Sequence, residues 1–66
     1  MVAEFIDSVT GTPVYINPSY VVTFRPDPAE PTRVTVVKLR DGESIRVRGD
    51  HQQIAEKLSA AVALSA

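Results

Sequence analysis

The chain has 66 residues, a formal net charge of −1, and neither Cys nor Trp. That length allows one domain with a small core, and without Cys no disulfide can reinforce it. A charge so close to zero gives no global pull toward nucleic acid or an anionic membrane, so either partner would have to be met through a local patch.

Residues 4–9 have strand composition, with Phe5 and Ile6 adjacent and therefore on opposite faces. Thr10-Gly11-Thr12-Pro13 is turn chemistry, because Gly tolerates a positive φ and Pro presets its own. Residues 14–17 form a second short strand, and the two strands are predicted to be a hairpin. Asn17-Pro18-Ser19-Tyr20 makes a corner, since Pro18 has no amide hydrogen for a ladder and Asn17 can close an Asx turn. Residues 21–25 are a third strand. Pro26-Asp27-Pro28-Ala29-Glu30-Pro31-Thr32 follows as a stiff acidic loop in which the prolines forbid regular pairing.

Residues 33–39 and 43–48 are the fourth and fifth strands, and two registers are open between them. A two-residue Asp41-Gly42 turn would set Val36 opposite Val47 and Lys38 opposite Ile45. A three-residue Arg40-Asp41-Gly42 loop with a left-handed Gly42 would set Val37 opposite Ile45 and Thr35 opposite Val47. The second register is favoured because it collects Val37, Leu39, Ile45 and Val47 on one buried face. Its opposite face carries Val34, Val36, Lys38, Ser44, Arg46 and Arg48. A helix over about 51–64 follows. Asp50 is a good N-cap, Gln53 completes a capping box, and Ile54, Leu58, Ala61 and Val62 form one helical stripe.

These elements predict a single α+β domain of five short antiparallel strands curled toward a small barrel, with one C-terminal helix packed on a face. The large apolar residues are mostly Val (ten), with four Ile and three Leu, which suits a pleated surface.

No catalytic arrangement is expected. A hydrolase needs a nucleophile, a base and a group orienting the base. Ser8, Ser19, Ser44 and Ser59 are present, but the single His, His51, sits at the helix start without an orienting motif. Asp7 with Asp50 or Glu43 is better explained as solvated turn acids than as a carboxylate pair. Gly11, Gly42 and Gly49 lack phosphate-loop spacing. Met1 and His51 are too few soft ligands for a metal cluster, so neither metal nor cofactor is expected. The segment from Met1 to Asp7 lacks a positive n-region and apolar core, and no apolar run approaches the roughly 18 residues of a membrane span. No membrane association is expected, and the cytoplasm is the default compartment.

The first functional expectation is a small non-enzymatic interaction or adaptor module that self-associates as a homodimer or other homo-oligomer, with a further protein partner open. Its candidate face is Val34, Val36, Val62 and Leu64, apolar residues beyond what one helix can cover. The alternative is a nucleic-acid-binding hairpin using Arg33, Lys38, Arg40, Arg46 and Arg48, five of the seven basic residues. No aromatic residue lies in that segment to stack on bases. Tyr15, Tyr20 and Phe24 are assigned to core or edge packing.

The chain resembles the FlbD-like small proteins encoded with bacterial flagellar and swarming-motility genes. The matching pieces are residues 10–18, Tyr20-Val21-Val22, residues 35–42, Ile45-Arg46-Val47 and residues 54–58. It departs from that pattern in its longer, Pro-rich loop at 26–32 and in Arg48-Gly49-Asp50 before the helix. The resemblance implies a small strand-rich scaffold with no catalytic residues. The strand–hairpin–strand–helix ending also looks like that of LytTR-type domains, which implies DNA contact through β-elements and loops.

Overall fold

The computed structural model describes the backbone of residues 2–65 and the side chains of residues 2–60. Five strands and one helix follow one another: β1 (Ala3–Ile6), β2 (Pro13–Ile16), β3 (Val21–Pro26), β4 (Val34–Leu39), β5 (Ser44–Arg48) and α1 (His51–Ser65). A single 3-10 turn, Pro18–Tyr20, joins β2 to β3. All pairing is antiparallel, in a two-stranded β1–β2 sheet and a three-stranded sheet ordered β3–β4–β5. The α+β class holds, but the sheets are not closed into a barrel. An isolated bridge between Asp7 and Val47, with the Ser8 amide donating to the Arg46 carbonyl at 2.8 Å, links β1 to β5. The strands therefore run β2, β1, β5, β4, β3 across the molecule, leaving β2 and β3 at the edges.

β1 ends sooner than its composition suggests, because Asp7 turns the chain. Its Oδ1 accepts the amides of Val9 and Thr10 at 2.8 and 3.2 Å, and its carbonyl accepts the Gly11 amide. Such an Asx arrangement gives the backbone a local alternative to the ladder. Val9 consequently lies exposed in the turn rather than in a strand. At the next corner Asn17 Oδ1 accepts from the Ser19 amide at 3.0 Å and caps the 3-10 turn as expected.

The β4–β5 hairpin takes the three-residue register. Thr35 lies opposite Val47, Val37 opposite Ile45, and Lys38 opposite Ser44. Gly42 has φ +90°, the left-handed conformation that this loop demands and that side chains disfavour. Val37 and Val47 are fully buried, and Leu39 and Ile45 pack against them. The core also takes in Ala3, Phe5 and Ile16 from the first sheet and Ile54 and Leu58 from α1.

The helix begins on a reciprocal capping box. The Gln53 amide donates to Asp50 Oδ1 at 2.8 Å, and the Asp50 amide donates to Gln53 Oε1 at 3.2 Å. Gly49, at φ +118°, lets the chain reverse into it, and a Cβ there would stand 3.1 Å from Gln53 Oε1. Lys57 fastens the helix to β1 by donating to the Glu4 carbonyl at 2.9 Å, with Nζ 5.3 Å from the centre of the Phe5 ring.

The Pro-rich connection is more regular than three prolines imply. Pro26 is the last residue of β3, opposite Thr35, and the Asp27 amide still donates to the Val34 carbonyl at 3.0 Å. Alternation from Asp27 turns the nitrogen of Pro26 away from β4, toward the open edge. Proline is tolerated there because no ladder hydrogen is needed.

Candidate functional site

Register fixes which side chains share the sheet face turned away from the core. Across β3, β4 and β5 that face has three rows: Thr23, Lys38 and Ser44; Arg25, Val36 and Arg46; then Asp27, Val34 and Arg48. The third row is closed over. Asp27, whose side chain is 8% exposed, accepts from Arg46 Nη2 at 3.0 Å and from the Glu30 amide at 3.1 Å through Oδ2. Glu30 Oε2 stands 3.8 Å from the same guanidinium. The Glu30 carbonyl in turn accepts the amides of Arg33 and Val34, which folds the loop back on the end of β4.

This closure corrects the proposed self-association face. Val34 is 4% exposed and buried, so it offers nothing to a second copy. The acidic loop, written in sequence as a stiff excursion, packs over the row that holds it. Val36 remains half-buried on the open part of the face. Val62 and Leu64 lie outside the described side chains.

The five basic residues of the hairpin do not form one patch. Arg46 is held by Asp27 and Glu30. Arg33 precedes β4 and lines a separate depression with Ser8, Glu30, Val34 and Arg48, and its carbonyl accepts the Gly49 amide at 2.7 Å. Arg40 sits in the turn, its amide bonded to the Tyr20 carbonyl at 2.8 Å. Arg48 runs toward the first hairpin, with Nη2 3.6 Å from where a Cβ on Gly11 would lie. Lys38 alone of the five stays on the open part of the face. It is joined there by Arg25 of β3, which the sequence reading left out. Arg25 becomes legible once Phe24 is set opposite Val37 in the core, because its neighbour must then face outward beside Lys38.

A second surface lies on the core side of β3. Pro18, Val21, Val22, Phe24 and Leu58, with Thr23 and Ser59, line an open groove of about 680 Å³ between the β3 edge and α1. Val22 falls at the irregularity in the β3–β4 ladder and is 56% exposed. The Phe24 amide and carbonyl point out of the sheet, by alternation from Asp27. The β3 edge thus presents free strand hydrogen-bonding groups beside apolar side chains. Tyr15 and Tyr20 are exposed at the edges rather than in the core, and Tyr15 Oη donates to Glu4 Oε2 at 3.3 Å.

Two of the acids considered as a carboxylate pair, Asp7 and Asp50, serve turns instead. Asp7 and Asp50 hold the backbone amides described above, and the Asp41 carboxylate accepts the Glu43 amide at 2.9 Å. His51 is exposed in the first turn of α1. Among the described residues no group of three His, Cys, Asp or Glu is placed to hold a metal ion, and no helix is long and apolar enough to cross a membrane. The chain matches no protein-family model, no curated protein and no solved structure.

Proposed function

We propose that the protein is a non-enzymatic interaction module that associates with a second copy of itself. The observation that carries the proposal is the open β3 edge adjoining the groove of Pro18, Val21, Val22, Phe24 and Leu58. Edge strands invite pairing, and proteins that remain monomeric blunt them with charge, proline or cover. Between Val21 and Phe24 the edge has neither charge nor proline, its guards being the ladder irregularity at Val22 and Pro26 at one end. A two-fold axis through Phe24 would let this residue exchange both backbone hydrogen bonds with its copy and would reuse the groove on both sides. This contact replaces the Val34 face as the proposed interface. The FlbD-like resemblance belongs to the same proposal, with a bacterial cytoplasmic setting, because the segments that carry it supply the strands and turns of the scaffold.

The test is molar mass in solution. Light scattering at roughly 100 µM should report more than one chain, and Val22→Asp should return the protein toward a monomer by charging the edge. A wild-type monomer at that concentration would overturn the proposal.

A further inference from the structure

The acidic loop spends its charge unevenly. Asp27 and Glu30 both turn to Arg46, yet Arg25 and Lys38, on the adjoining rows of the same face, meet no carboxylate within 4.0 Å among the described residues. These two cations flank a depression of about 290 Å³ lined by Thr23, Arg25, Val36, Lys38 and Ser44. It holds two positive charges and two hydroxyls around one apolar residue, with no acid on its lining. Three of the five residues lie in one cross-strand row, Thr23–Lys38–Ser44, so rigid ladders rather than a loop set their spacing.

We propose that this cleft binds the phosphate groups of a nucleic-acid backbone. Arg and Lys supply the charge, and the Thr23 and Ser44 hydroxyls donate to phosphate oxygens, the mix of donors that holds a backbone without reading bases. The cleft lies on an open sheet face rather than in a closed cup. An extended chain of phosphates fits that shape better than a single small anion. The site differs from the hairpin patch expected from sequence: it adds Arg25, Thr23 and Ser44 and drops Arg46, whose charge is used internally. It does not depend on self-association, since its two cations, Arg25 and Lys38, do not line the groove on the core side of β3, and Thr23 is the residue that borders both.

The experiment is fluorescence anisotropy of a labelled mixed-sequence DNA duplex titrated with the intact protein. Saturable binding should appear at low salt. With about two phosphates neutralised, affinity should fall about tenfold between 50 and 200 mM salt. The double variant Arg25→Gln with Lys38→Gln should lose most of that affinity and flatten the salt dependence. Arg33→Glu changes the net charge by the same amount at a residue that does not line the cleft and should bind within about twofold of wild type. Both cations in the double variant are exposed and make no ion pair among the described residues, so its thermal melt should match wild type. If it does not, amide chemical shifts of the wild-type protein on adding duplex decide the matter, with changes centred on Thr23, Arg25, Lys38 and Ser44 expected. No binding at low salt, equal losses in the double variant and Arg33→Glu, or tighter binding to phosphatidylserine vesicles than to duplex would each overturn the proposal.

Discussion

Arg46 and Asp27 show how one side chain can change the meaning of a whole patch. In sequence Arg46 is one of five cations on a hairpin. In the fold it is bonded at 3.0 Å to a carboxylate that is itself nearly buried, while its own side chain is 43% exposed. Removing the arginine leaves that carboxylate with the Glu30 amide as its one remaining donor to Oδ2. Arg46→Ala should therefore lower stability by about 1–3 kcal/mol, the cost of stranding a buried polar group. An unchanged urea midpoint would instead class the contact with exposed ion pairs, most of which contribute about 0–1 kcal/mol. This pair was not legible in the sequence. Nothing local connects residue 27 to residue 46; they meet because β3 and β5 flank β4 and the loop returns across the sheet face. The same long-range register hid Arg25 from the candidate site, and the same loop buried Val34.

Elements defined by local chemistry were legible. The capping box of Asp50 and Gln53, the Asn17 corner and the left-handed Gly42 each depend on residues within three or four positions, and each appears as the sequence implies. The β4–β5 register followed from burial, since the three-residue loop alone gathers Val37, Leu39, Ile45 and Val47 on one face. β1 is shorter than strand composition implies because propensity at Val9 loses to the Asp7 side chain, which captures two amides. The loop is more regular than its prolines suggest because Pro26 occupies an edge position where its missing hydrogen costs no ladder bond. The helix contributes the stripe whose described members are Ile54 and Leu58, both buried in the core. Leu58→Ala should cost about 2–5 kcal/mol, the range for opening a cavity in packed side chains. A thermal melt indistinguishable from wild type would mean that α1 does not rest on the sheet through this residue.

At the scale of the whole molecule, the two proposed surfaces lie on opposite sides of the β3 ribbon, and β3 is the strand they share. A two-fold contact through the β3 edges, with its axis normal to the sheet, would keep both copies' Arg25 and Lys38 on one side and place the two clefts in a single continuous face. The apolar groove would be covered on the other side. Association then becomes part of stability, because a partner that binds the folded chain and not the unfolded one stabilises it by mass action. A chain of 66 residues with no Cys has few other means of reinforcement. The melting temperature should rise with protein concentration between roughly 5 and 500 µM, since a higher concentration populates the dimer. Val22→Asp should remove that dependence while leaving the dilute-limit melt close to wild type, as Val22 is exposed in the single chain. Calorimetric scans at four or five concentrations decide between the outcomes. A melting temperature independent of concentration in the wild type would mean that the fold is secured within one chain. The β3 edge would then contribute nothing to stability.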